Sequence, residues 1–405
     1  MKKLRINYWL FIFCIAFVYF LMGCNMNNKR EREQEVDIFG YTVTLGAPQE
    51  FNLLFGGHNS YLYLTEENQE TGEKIDRIVT SFPTLGDFQG GFWRNGGTKT
   101  SNSNRAEFPT GIYLQWYSLF EKQGWKIRFD FDPIFMEKLK YHCFKNVNDG
   151  ADDCIVDRRN FGQDYILGNF SFNIYAMPSG LAYVYMSGGG ETYLLGELQA
   201  EPTDINFESY KITLGSRLNE TGDEVFNRRL SYQTEEFQKA YHDGTLSFST
   251  EKWERRMKRY DWELVGNSFY KIKGPFNSVY TNAEMYNIYQ DGKNTFRDRH
   301  APPNHLTVYL EGTELSPNPG VVKRVRFKFD DDEIMKSFEI MSALDPDVKL
   351  QLQLDLSADF TGHRLFLKNG DKIRRIESTM FYIEDIPELY KPVIEDPNYK
   401  MPSVD

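Results

Sequence analysis

Histidine and cysteine are scarce in this chain, six and four among 405 residues, and that scarcity removes whole classes of chemistry. The histidines stand at 58, 142, 242, 300, 305 and 363, none of them in the HExxH spacing that puts two zinc ligands on one helix face. GxSxG, Walker and GxGxxG segments are absent as well, which disfavours an α/β-hydrolase, a P-loop enzyme and a dinucleotide-binding unit. Basic residues are outnumbered, 47 against 58 acidic, for a net charge of −11. Nucleic acid and anionic lipid headgroups are therefore repelled. Glycine (31) and proline (16) occur at ordinary frequency, so collagen, coiled coil and a disordered chain are excluded by composition. No apolar run reaches the ~20 residues that cross a bilayer comfortably; the apolar stretch from Tyr8 to Met22, which carries no charge, is about fifteen residues.

Aromatic residues, by contrast, are abundant: 25 Tyr, 32 Phe and 6 Trp, 16% of the chain. Flat side chains suit pleated surfaces better than helices, so a mainly β fold is expected. The length suits two or three domains.

The N-terminus carries an address. Lys2, Lys3 and Arg5 precede the apolar stretch, which ends in Leu21-Met22-Gly23-Cys24. That order describes a secretory signal; counted from Ile6, an uncleaved membrane anchor is the alternative. The ending resembles the bacterial lipobox, and the resemblance implies cleavage before Cys24, diacylglycerol on its sulfur and an N-acyl group such as palmitate. Several acyl chains hold a protein on a membrane far more firmly than one. Asn25 stands where an Asp would argue for retention at the inner membrane, so the outer membrane is the expected address. Residues 24–37 are polar and without apolar periodicity, which reads as a flexible tether. With Cys14 in the signal and Cys24 lipidated, Cys143 and Cys154 are the remaining thiols. In an oxidising compartment they are expected to pair, closing a short loop that stabilises by about 3 kcal/mol on chain-entropy accounting; two free buried thiols are the alternative.

A repeat runs inside the chain. Arg128-Phe129-Asp130-Phe131-Asp132 and the residues to Lys138 align without gaps on Arg326 to Lys336, with five of eleven positions identical. Phe170, Phe172 and Ile174 fall over Leu352, Leu354 and Leu356, and Tyr183-Val184-Tyr185 over Leu365-Phe366-Leu367. Upstream, Pro109, Ile112, Leu114 and Trp116 match Pro303, Leu306, Val308 and Leu310. All of these alternate apolar and polar with period two. The first copy carries extra residues between the matches, and Cys143 to Cys154 lies among them.

The expected architecture is mainly β of α+β type: two tandem β-sandwich-like domains, the product of internal duplication, with a few short helices. The division reads 1–23 signal, 24–37 tether, 38–215 first β-rich domain, 216–265 helical connector, 266–390 second β-rich domain and 391–405 extended tail. Strands are expected near 38–46, 50–55, 60–65, 76–82, 112–118, 125–131, 169–176, 181–187, 191–197 and 209–214. The second copy offers strands near 268–273, 305–311, 321–329, 348–356, 363–368 and 372–383. Asp330 to Glu333 opens a helix running through Leu344, since acidic groups favour the positive end of the macrodipole. Thr234–His242 and Ser249–Trp262 read as helices, the latter with Trp253, Met257 and Tyr260 on one face.

Three segments together resemble a known family: Ser81-Phe82-Pro83, then Gly90-Gly91-Phe92-Trp93-Arg94-Asn95-Gly96-Gly97, then Pro109 through Trp116-Tyr117-Ser118 to Glu121. They are similar to the bacterial lipoprotein family catalogued as domain of unknown function 2931. Ala176-Met177-Pro178-Ser179-Gly180 with Tyr183 to Gly188 looks like its later hairpin, and Glu251 to Trp262 like its terminal helix. The likeness covers residues 38–265; Arg94 and Ser179 depart from the family's glycines. It implies a lipoprotein address and, through members lying near secreted toxins, periplasmic immunity.

Candidate sites are few. Asp130 and Asp132 are two apart, the spacing of a carboxylate pair for glycoside hydrolysis or a cation, but Phe129 and Phe131 facing a core would leave both in water. Asn146 to Asp153 has oxygen ligands around Gly150 and lacks the closing glutamate of a calcium loop. His300 and His305 flank Pro302-Pro303 and read as turn surface. Trp93, Trp116 and Trp125 with Tyr113 and Tyr117 offer a stacking platform for sugars, although the alternation places Trp116 in a core. The expectation is therefore a non-enzymatic, lipid-anchored envelope protein that needs no cofactor or metal and binds another protein, for instance a toxin, with surface glycan binding as the alternative.

Overall fold

The computed structural model describes residues 39–48, 53–55, 60–68, 71–81, 85–88, 100–106, 108–139, 169–188, 190–207, 220–288, 292, 294, 296–359 and 362–385. Cys24, Cys143, Cys154, the 146–153 loop, Trp93, the expected strand at 209–214 and the tail lie outside them. The fold is mainly β with three sheets and a few short helices. Among the described residues no helix is long and apolar enough to cross a membrane.

The first half contributes β1 (Phe39–Gly46), β2 (Leu53–Phe55), β3 (Tyr61–Glu67), β4 (Lys74–Ser81), β5 (Leu85–Phe88) and β6 (Thr100–Ala106), then β7 (Gly111–Ser118), β8 (Gln123–Asp130) and a helix α1 over 133–139. β9 (Asn169–Ala176), β10 (Leu181–Gly188), β11 (Glu191–Gln199) and β12 (Glu201–Thr203) follow. Next come helices α2 (Gly222–Leu230), α3 (Glu235–His242) and α4 (Glu251–Met257). The second half holds β13 (Trp262–Val265), β14 (Tyr270–Tyr280), β15 (Met285–Ile288), β16 (Pro303–Gly312), β17 (Val322–Phe329) and helix α5 (Asp331–Leu344). β18 (Leu350–Leu356), β19 (His363–Asn369), β20 (Lys372–Ile376) and β21 (Ser378–Asp385) complete it.

Strand pairing repeats element by element. β1 runs parallel to β9, which pairs with β10 and β10 with β11; β13 runs parallel to β18, which pairs with β19 and β19 with β20. In the opposing sheets β7 is flanked by β8 on one side and by β2 and β3 on the other, with β12 beyond β8 and β4 beyond β3. β16 is flanked by β17 and β14, with β21 beyond β17 and β15 beyond β14. Even the register agrees: Ile112 faces Phe129 and Leu306 faces Phe327, as the aligned motifs require. Both helices that follow are capped by the equivalent aspartate. Asp132 accepts from the Ile134 and Phe135 N–H groups, and Asp330 from Glu333 N–H at 2.9 Å. A carboxylate at that position satisfies orphan amides and meets the helix dipole. Asp330→Ala is expected to cost about 1 kcal/mol, read by denaturant unfolding, with Asp132→Ala costing as much in the first copy.

The inward residues are those the period-two pattern marks. Ile112, Leu114, Trp116, Phe172, Ile174, Leu306, Val308, Phe327, Leu352 and Leu354 are all buried in one continuous core. One aligned segment slips. Val184 lies in this core while Tyr183 and Tyr185 pack outward against α4, whereas Leu365 and Leu367 both point in. Laying Tyr183 over Leu365 is thus one residue out of phase, and a one-residue slip exchanges the two faces of a strand.

The halves are fused through a sheet rather than strung as beads. β15 of the second half pairs with β11 of the first, at Thr192 opposite Met285, so that five strands from each half make one ten-stranded sheet. The remaining strands form a seven-stranded sheet in the first half and a four-stranded one, β13-β18-β19-β20, in the second. Helices α2 to α4 pack on the first half, with Phe226, Leu230 and Val225 against Tyr117 and Phe120, and Trp253 and Met257 against Tyr183 and Tyr185.

Three local expectations are corrected, and one helix was not foreseen. The helix expected to reach Trp262 stops at Met257, because Lys258 turns extended (ψ 131°) and Tyr260 bridges to His300; Trp262 then begins β13. The strand expected over 372–383 is two strands in different sheets, divided at Glu377. α2 was not legible beforehand, although Thr221 and Glu224 form a capping box. Last, His300 is no turn-surface residue but fully buried, while His305 sits within β16.

Candidate functional site

The outer face of the seven-stranded sheet gathers polar and aromatic side chains that the alternation pushes away from the core. Tyr61 and Tyr63 on β3, Tyr113 and Gln115 on β7, and Arg128 and Asp130 on β8 are neighbours across the strands. Tyr61 stacks on Tyr113 with centroids 5.2 Å apart and planes 23° apart. The Gln115 amide donates to the Tyr113 hydroxyl at 2.7 Å. Arg128 lies over the Tyr63 ring, 4.2 Å from its centroid, and bonds both Asp76 and Asp130, the latter at 2.9 Å. Tyr63 donates to Asp130 at 2.6 Å.

The electrostatics follow from these contacts. Burial, then the hydrogen bond to Asp130, pushes the Tyr63 phenol well up. Tyr61 is raised by burial and by Tyr113 and Asp76. The bond to Asp76 holds the Arg128 guanidinium above its ordinary value despite partial burial. These shifts keep the Tyr61 and Tyr63 phenols protonated and the Arg128 guanidinium charged. Gly111 belongs to the same design, since a Cβ there would meet the Tyr63 ring at 2.3 Å.

Asp130 and Asp132 do not form a pair: the first serves Arg128 and Tyr63, the second caps α1. Phe131 is buried and Phe129 packs against the core, as the alternation requires. Of the five proposed platform aromatics, Trp116 and Tyr117 are buried in separate clusters and Trp125 packs against the core. Trp93 lies outside the described residues; of the four described, Tyr113 alone lies on the outer face, and its partners Tyr61 and Tyr63 escaped the sequence search because Tyr-Leu-Tyr reads as ordinary strand alternation. Among the described residues no cluster of three His, Cys, Asp or Glu can hold a metal. An open groove of about 530 Å³ lies beside α4, lined by Phe237, Leu246, Glu251, Lys252, Trp253 and Arg255.

A second cluster, at the seam between the halves, is buried and was invisible in the sequence. Glu284, fully buried, accepts from Arg259 at 2.9 Å, Arg297 at 3.1 Å, Asn282 at 2.8 Å and the Leu194 N–H at 3.1 Å. Arg297 also donates to the Leu194 carbonyl, and Glu191 accepts from Tyr193 and the Asn287 N–H. Burial acts to raise the Glu284 carboxyl, but the two guanidinium groups outweigh it and hold it below its ordinary range. His300 lies nearby, its Nε2 at 2.7 Å from the Gly292 carbonyl and its Nδ1 at 2.9 Å from the Tyr286 hydroxyl. A carbonyl only accepts, so Nε2 carries the proton and Nδ1 accepts from Tyr286. Burial keeps this ring neutral by lowering its pKa. Glu191 and Leu194 of β11 lie about a hundred residues before their partners Glu284, Asn287 and Arg297, so no local spacing announces them.

No family model, no curated protein and no solved structure matches this chain.

Proposed function

We propose that this chain is a non-enzymatic protein of the cell envelope, held to the outer membrane by lipid on Cys24, whose task is to grip another protein, in the manner of an immunity or secretion-associated lipoprotein of the kind grouped as domain of unknown function 2931. The observation that carries the binding role is the outer face on which Tyr61, Tyr113 and Arg128 are accessible, Arg128 lying over the fully buried Tyr63. Tyrosine and arginine dominate the energetics of protein interfaces, and here they are already fixed by stacking and ion pairing, which lowers the ordering cost of association. The glycan alternative finds less support on this face, because Tyr61 and Tyr113 cover one another and Arg128 covers Tyr63, leaving little ring surface for a sugar.

Two measurements test the reading. Cys24→Ala is expected to move the protein from the membrane fraction to the soluble periplasmic fraction, and continued sedimentation would argue for the uncleaved anchor instead. In co-culture with a toxin-delivering neighbour, a deletion strain is expected to lose survival and to regain it with the intact gene. A Tyr61→Ala, Arg128→Ala double variant is expected not to restore it. An unchanged survival ratio on deletion would sink the immunity role.

A further inference from the structure

The seam between the two halves implies a second seam, between molecules. Inside the chain, the third sandwich strand of the first half's ten-stranded-sheet portion, β11, pairs antiparallel with β15 of the second half. The repeat gives each of these strands a twin. β20 is the twin of β11, since each closes the hairpin of its copy, with Glu191 in the place of Lys372 and Thr192 in that of Ile373. β4 is the twin of β15: Val279 opposite His305 on β16 corresponds to Tyr63 opposite Gly111 on β7, and Val279 pairs with Met285 as Tyr63 pairs with Ile78. Among the described residues both twins are edge strands, β20 paired with β19 alone and β4 with β3 alone.

The residues that would meet are exposed and complementary. The internal contact Thr192–Met285 maps onto Ile373 and Ile78, which are 60% and 51% exposed. Continuing the same antiparallel register sets Arg375 opposite Asp76, and Glu377, just past β20, opposite Lys74, so that the apolar pair is followed by opposite charges, although within one copy Asp76 already pairs with Arg128 and Arg375 with Glu377. Arg374 falls opposite Arg77, but each already has a partner of its own, Ser337 and Glu66. An edge strand with bare isoleucines is a template for another chain unless it is meant to be one.

We propose that β20 of one molecule pairs with β4 of a second copy in the register Ile373 to Ile78, so that the internal seam is repeated head to tail between molecules. Such a contact is heterologous, joining different surfaces, and propagates into a ring or an open row rather than closing at a symmetric dimer. On an envelope surface it would array the Tyr and Arg face of each copy at a fixed spacing, but the proposal does not depend on that face or on the lipid.

The test is sedimentation of the full chain in a density-matched detergent, comparing the intact protein with Ile78→Lys and Ile373→Lys. Both side chains are more than half exposed, so the unfolding midpoints of the variants should equal that of the parent. The parent is expected to gain mass with concentration beyond a dimer, and each variant alone to remain monomeric. A mixture of the two, in which one native β20 edge can meet one native β4 edge, is expected to stop at twice the monomer mass. A parent that stays monomeric at every concentration overturns the proposal. So does association that persists in either variant, or a mixture that fails to dimerise.

Discussion

Glu284→Ala is expected to destabilise the protein by about 3–5 kcal/mol, the cost of stranding buried positive charge when one partner of a buried ion pair is removed. Arg259 and Arg297 are both more than two-thirds buried at their side chains, with 29% and 19% exposure, and Glu284 itself has none. The loss also orphans the Leu194 N–H and the Asn282 amide. Because Leu194 belongs to β11 and Glu284 directly precedes β15, the damage falls on the joint between the halves. Denaturant unfolding at neutral pH measures it. The pH dependence has a definite sign. A carboxyl whose folded pKa lies below its unfolded value contributes stability that is fully present above the unfolded value and fades as pH falls through the folded one. The advantage of the parent over Glu284→Gln should therefore be constant from neutral pH down to the ordinary carboxylate range and shrink below it. An advantage that grew on acidification would contradict the ion-pair account.

The seam shows where reading a sequence succeeds and where it stops. The repeat was legible because it rests on local regularities: Ile112, Leu114 and Trp116 against Leu306, Val308 and Leu310 keep period two, and Asp132 and Asp330 occupy the same cap. The seam was not, because Glu284, Arg259, Arg297 and Leu194 are joined by tertiary contact alone, and a buried glutamate looks like a solvated one until its partners are known. The slipped match of Tyr183 to Leu365 has a similar origin. β10 is covered on both faces, by the core on one side and by Trp253 and Met257 on the other. Apolar residues then occupy consecutive positions and the alternation that fixes phase disappears. The outer-face cluster was half legible: Tyr113 was nominated as part of a sugar-stacking platform, while Tyr61, Tyr63 and Arg128 needed the cross-strand register to bring them to it.

Trp262→Ala is the second large effect, expected at about 3–5 kcal/mol for truncating a fully buried tryptophan. Its ring meets Phe338 of α5 at 5.8 Å, Phe276 of β14 at 6.3 Å and the buried His300 at 6.3 Å, so one side chain locks the four-stranded sheet, the ten-stranded sheet and the helix together. Gly292 presses against its backbone: at φ +77° a Cβ there would stand 2.5 Å from the Trp262 carbonyl oxygen. Trp262→Phe separates packing from polarity. The indole N–H is buried with no hydrogen-bond partner among the described residues, so phenylalanine gives up no hydrogen bond to them and should cost less than about 1.5 kcal/mol, as better-conserved volume allows. The form of the transition carries the larger lesson. Trp262 lies in the same continuous core as Trp116 and Phe172 of the first half, so Trp262→Ala should shift a single cooperative unfolding transition. A first-half transition that stays in place while a second one moves down would mean that the halves, though sharing a sheet, fold as separate units.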